Sequence, residues 1–262
     1  MFKHAAFIAL AYLAVTAAQA APIVEYFDYG GTGQSALQGK GTAGDGWAGA
    51  WGANSSGSDP QYYPSINLTY SDPNYSSDNL ATTGAIGGNQ AGFYARRSFT
   101  TAFADTTVWV SALAYNANAS GLIFLCFDQG SAITAKNVVG IRNNKPVMRY
   151  NSTSDSYSTR TLSTTTYLLL AKIVVSSTGN DSIDFWVNPN LSGGEAGLGT
   201  PDRVGTGQDP FSSNLSIVGV SAQTTNRLDA LRIGSSLEEV TVPEPATLIL
   251  VCMGGVLVLR RR

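Results

Sequence analysis

The chain has 262 residues, a length that fits one large domain. Hydrophobic residues make up 44% and charged residues only 13%, about half the usual charged share of a soluble domain. The formal net charge of −2, with no basic patch to meet a phosphate backbone, excludes nucleic acid as an expected partner.

Lys3 opens the chain with one positive charge, and an apolar run from Ala5 to Val15 follows. Ala18 and Ala20 then put small residues three and one positions before Ala21. This three-part order predicts a secretory signal peptide over residues 1–20, cut between Ala20 and Ala21. Its apolar core is shorter than the ~20 residues of a spanning helix, which sets the signal against the competing reading of an N-terminal anchor. Residues 1–20 contain no twin arginine, so the general secretion route is expected.

Residues 21–240 read as one all-β domain, with no convincing amphipathic helix. Strands are expected at Val24–Tyr29, Phe93–Phe99, Thr107–Tyr115, Leu122–Phe127, Tyr167–Val175, Ser182–Val187, Ile217–Val220 and Leu228–Ile233. Gly, Asn, Asp and Ser punctuate them, as at Asn143-Asn144 and at residues 177–181. Tyr167–Val175 and residues 181–188 are separated by a short turn and should form a hairpin. Such repeated short strands predict two stacked sheets, a β-sandwich or jelly roll, with the first and last strands side by side.

The composition of this body restricts its chemistry. The single histidine, His4, falls inside the expected signal, so histidine-based triads and imidazole metal sites are excluded from the mature chain. Cys126 lies in an apolar strand and reads as a core residue, and Cys252 lies in the C-terminal apolar stretch, so no disulfide is expected. The glutamates of the body are Glu25, Glu195, Glu238 and Glu239, and no two have the spacing of a glycosidase pair. Gly39 to Gly44 matches a G-x-G-x-x-G pattern but leads into no helix and reads as a loop. Trp47, Trp51, Tyr62 and Tyr63 sit in a Gly-, Asn- and Ser-rich stretch. They are candidate stacking platforms for a glycan, against the competing reading of a packed structural lid. Asp28 and Asp229 make a candidate calcium pair if the first and last strands are neighbours, against ordinary turn and surface acids. No other cofactor is expected.

The tail, residues 241–262, holds Pro243-Glu244-Pro245, an apolar segment at 247–259 and the terminal Arg260, Arg261 and Arg262. As a helix the segment spans about 20 Å, short of a ~30 Å hydrocarbon core, so it inserts with mismatch. The terminal arginines favour the cytoplasmic side. This order resembles the PEP-CTERM sorting domain. A plain C-terminal membrane anchor is the competing reading, and a GPI signal fits less well because the chain ends in arginine.

That resemblance implies processing by an exosortase of a Gram-negative bacterium and association with exopolysaccharide or biofilm matrix. In the body, Glu25-Tyr-Phe-Asp-Tyr-Gly30 followed by Gly46-Trp-Ala-Gly-Ala-Trp51 is similar to the start of concanavalin A-like (LamG-like) domains. So are Asp184-Phe-Trp-Val-Asn-Pro189 and Asp229-Ala-Leu-Arg-Ile-Gly234. The expected function is therefore that of an exported, non-enzymatic surface or matrix protein. A carbohydrate-binding module is the first alternative and a degenerate glycoside hydrolase the second.

Overall fold

The computed structural model describes residues 22–53, 60–75, 84–88, 94–130 and 133–241. The expected signal, its cleavage site at Ala18, Ala20 and Ala21, and the whole tail from Pro243 to Arg262 lie outside them. No helix among the described residues is long and apolar enough to cross a membrane.

In chain order the strands are β1 (Ile23–Glu25), β2 (Ser35–Ala36), β3 (Gly52–Ala53), β4 (Gln61–Tyr63), β5 (Ala85–Gly87), β6 (Ala95–Phe103), β7 (Thr106–Tyr115) and β8 (Leu122–Asp128). They continue as β9 (Val138–Arg142), β10 (Lys145–Arg149), β11 (Ser156–Tyr157), β12 (Thr166–Val175), β13 (Asp181–Val187), β14 (Arg203–Gln208), β15 (Leu215–Ala222) and β16 (Arg227–Gly234). The first sheet runs β14-β13-β12-β7-β16-β5-β4-β2, and β1 also pairs with β16. The second runs β11-β10-β9-β8-β15-β6-β3. The strands pair antiparallel throughout, and the two sheets stack as a sandwich.

The side-chain period of two builds the core. On β12, Leu169, Ala171, Ile173 and Val175 point between the sheets, where they meet Val108, Val110 and Ala112 of β7 and Ile123, Leu125 and Phe127 of β8. The outward residues of the first sheet are apolar as well. Leu168, Leu170, Trp109, Leu113 and Trp186 form a second cluster beneath Leu68, Leu191, Leu198 and Val240. A short helix, α1 (Leu237–Thr241), helps close this layer. The Ser111 hydroxyl of β7 donates to the Val240 carbonyl at 2.6 Å. Burial on both faces explains why Tyr167–Val175 is a nearly unbroken apolar run rather than an alternating one.

The expected hairpin is present, with Leu169 opposite Val187 and Ile173 opposite Ile183. The first and last strands do lie side by side, with Ile23 opposite Ile233. Asn143 and Asn144, at φ 53° and 56°, form the tight turn that joins β9 to β10.

Candidate functional site

The N-terminal segment is held by a buried knot around Glu25. Its side chain pairs with Arg97, and both are about 95% buried. Glu25 also accepts from the Phe27 N–H at 2.8 Å and from the Trp51 indole at 3.1 Å. Arg97 donates onward to the Gly49 carbonyl at 2.8 Å and to the Thr42 carbonyl at 2.7 Å. Its guanidinium lies 4.4 Å from the Trp47 ring centroid. The Trp51 indole is shared with the Tyr29 hydroxyl at 2.7 Å. Burial and the neighbouring Glu25 carboxylate push the Tyr29 phenol far above its ordinary range, so it stays neutral.

This arrangement corrects the glycan-platform expectation for three of its four residues. Trp47, Trp51 and Tyr62 are 2%, 1% and 0% exposed. Their rings pack on Phe99, Phe27 and Tyr29 rather than facing solvent. The physical reason is Arg97. The strand alternation of Ala95, Arg97 and Phe99 drives a cation into the core, and the loop aromatics and Glu25 close over it. The signal in the sequence that marks Arg97 is a charge in the inward register of an alternating strand. Tyr63, the fourth residue, remains half-buried on the outer face of the first sheet, with the Arg227 guanidinium 4.0 Å from its ring centroid.

The calcium pair is not formed as expected. Phe27 takes a left-handed conformation, φ 51°, and Asp28 beyond it is exposed. Asp229 is buried instead, and each of its oxygens already accepts a backbone N–H, from Leu68 at 3.1 Å and from Ala230 at 2.7 Å. Burial pushes its carboxyl up to about 7; those two N–H groups oppose the shift and Glu25 adds to it. Among the described residues no group of three or more His, Cys, Asp or Glu is placed to hold a metal ion.

The other glutamates are also engaged or isolated. Glu195 pairs with Lys172, and Glu239 accepts from Ser235 at the start of α1. Glu238 is exposed on the same helix.

Two cavities flank β1. One, of about 690 Å³, is lined by Tyr26, Asp28, Tyr29, Lys40, Asp45 and Arg97 among others. The other, of about 880 Å³, is apolar and lies between Ile23, Val24, Ile233 and Phe103. Pro22 and Glu239 both border the second cavity, so the segments entering and leaving the sandwich meet there.

No family model matches this sequence, and no curated protein matches it. Among solved structures it is similar to an endo-β-1,4-glucuronan lyase from the fungus Trichoderma reesei, at 10% identity and a TM-score of 0.45, over 76% of this chain and 95% of that one. It is also similar to a β-1,3-1,4-glucanase from a mouse hindgut metagenome, at 12% identity and a TM-score of 0.37, over 82% and 99%. A protein of unknown function from Shewanella oneidensis matches at 10% and 0.37, over 76% and 82%. Likenesses this distant do not bear on activity.

Proposed function

We propose that the chain is an exported display protein of a Gram-negative bacterium: a concanavalin A-like sandwich carried to the cell surface or extracellular matrix, sorted through its tail by an exosortase, with no catalytic role. The observation that carries this reading is the meeting of Pro22 and Glu239 at one cavity. A signal before Pro22 and a sorting tail after Thr241 then leave the domain from the same region, so a membrane-held tail leaves the far end of the sandwich facing outward. The absence of catalysis is supported by the fate of the acids. Glu25 is neutralised by Arg97, Glu195 by Lys172, and the body contains no histidine.

Mass spectrometry of the protein released from intact cells by protease shaving, together with its mature termini, tests this. The expected mature chain starts at Ala21 and lacks Arg260–Arg262. A surface form that keeps Arg262 overturns the exosortase step, and a chain found only in the cytoplasm overturns export.

A second reading, carbohydrate binding, is favoured by the half-buried stack of Arg227 on Tyr63, an aromatic ledge on the outer face.

A further inference from the structure

At the end of the sandwich opposite Pro22, four connections meet: residues 116–121, the Asn143-Asn144 turn, residues 162–165 and the turn 223–226. Asn226 accepts the N–H groups of Ala117 at 2.9 Å and Asn118 at 2.8 Å through its Oδ1. Asn116 donates through Nδ2 to Asn144 Oδ1 at 2.9 Å and to the Ser163 carbonyl at 3.2 Å. The Gln223 N–H donates to the Leu122 carbonyl at 2.8 Å, and the Asn226 N–H closes the turn onto the Gln223 carbonyl at 3.0 Å. Arg227 donates through Nη1 to the carbonyls of Thr224 and Asn226, at 3.0 and 2.8 Å.

These bonds leave four polar atoms over. Asn116 Oδ1, Gln223 Nε2, Asn226 Nδ2 and Arg227 Nε are buried without a hydrogen-bond partner. Asn116, Asn226 and Gln223 are 1%, 0% and 7% exposed. A buried polar group without a partner costs about 1–3 kcal/mol, and native structures carry few of them. Here they gather in one rim, and three fall within the five residues from 223 to 227. Gly121 contributes by close approach, since a Cβ there would stand 2.5 Å from Asn226 Nδ2. The stack of Arg227 on Tyr63 borders the same turn.

We propose that this rim is a binding site for a neutral saccharide, whose hydroxyl groups pair with Asn116 Oδ1, Gln223 Nε2, Asn226 Nδ2 and Arg227 Nε beside the Tyr63 ledge. The proposal deepens the carbohydrate-binding reading by giving it a place. Three donors and one acceptor suit a hydroxyl-rich ligand, because a hydroxyl both accepts and donates. A purely anionic ligand leaves Asn116 Oδ1 without a donor. Thr224 and Thr225, both exposed, form the tip of the turn, and binding as proposed requires this tip to shift outward to admit the ligand.

Isothermal titration of the full-length protein tests the site, with cellohexaose, laminarihexaose and maltohexaose as neutral probes and hexagalacturonate as the charged arm. Asn226→Asp is the informative variant: it keeps both acceptor contacts to residues 117 and 118 but removes the Nδ2 donor. Gln223→Glu removes Nε2 in the same way and gives an independent reading if Asn226→Asp lowers the melting temperature. The expected result is binding of at least one neutral hexasaccharide, weakened tenfold or more in each variant that melts like the parent. Binding unchanged in both variants overturns the site, and binding of hexagalacturonate alone overturns the ligand class. No binding of any probe assigns the four atoms to buried water and overturns the proposal. These outcomes are read on purified protein, so they are independent of where the cell delivers it.

Discussion

Arg97 of the second sheet reaches across the interior to Glu25 of the first, and both side chains are almost wholly buried. The pair joins the two sheets, and Trp47 and Trp51 seal it from water.

Removing one partner leaves the other charge buried and unpaired. Glu25→Gln and Arg97→Ala should each lower stability by about 3–5 kcal/mol, read as a shift in the urea midpoint. Arg97→Lys should not rescue fully, because a lysine cannot keep the guanidinium bonds to Glu25, the Gly49 carbonyl and the Thr42 carbonyl together. A loss below about 1 kcal/mol in both single variants would show that the pair does not hold the sheets.

Asp229 predicts a pH dependence. Its carboxyl sits near 7 in the fold against about 3.8 in the unfolded chain. Between those values the folded state keeps a proton that the unfolded state has lost. The resulting stability is complete below about pH 3.8 and is lost as pH rises through about 7. Burial also raises Asp181 and Asp184, which act with the same sign. Asp155, paired with Arg149 and Arg142, is held below its ordinary range and acts oppositely, at more acid pH. Calorimetry should therefore show a melting temperature that falls from about pH 4 to about pH 7. Asp229→Asn should flatten that slope, and an equally steep slope in the variant would disprove the assignment.

Gly140 lies where β9 passes β8 closely. A Cβ there would stand 1.9 Å from the Ile123 carbonyl oxygen, a backbone atom that has nowhere to move. Gly140→Ala should cost at least about 2 kcal/mol. Gly33, with nothing within 4 Å, is the control, and Gly33→Ala should be near neutral. Equal melting temperatures for the two variants would contradict this packing.

Cys126 is fully buried, and burial pushes its thiol well above the ordinary range. It should resist a thiol reagent such as dithionitrobenzoate in the native protein and react in full in urea. Rapid labelling of the native state would mean that the layer formed by Phe124, Val138 and Ile133 opens readily.

Much of the sandwich is legible in the sequence. The strands β7, β8, β12, β13, β15 and β16 are long, rich in β-branched, aliphatic or aromatic residues, and bounded by turn residues, so they are plain even where no alternation shows. The strands β2 to β5 have only two or three residues each and hold no period to read. β9 and β10 were hidden by Gly140 and Pro146, residues that ordinarily argue against a strand, although the Asn-Asn turn between them was visible. The Glu25 knot was legible only as separate motifs. Its members are brought together by the fold from positions 25, 47, 51 and 97, and loop aromatics give no local sign of whether another segment will cover them. The rim at Asn116 and Asn226 has no sequence signature, because single asparagines in turns are too common to stand out.

The pairing of Ile23 with Ile233 also sets an order of events. The first strand of the sandwich is paired by the last one, about two hundred residues downstream. A newly made chain therefore cannot close its sandwich until nearly all of it is available, and contacts of such long range form slowly. Glu25 and its tryptophans wait in the same way for Arg97. A polypeptide built like this stays open, its two ends unpaired, for most of the time it is being made.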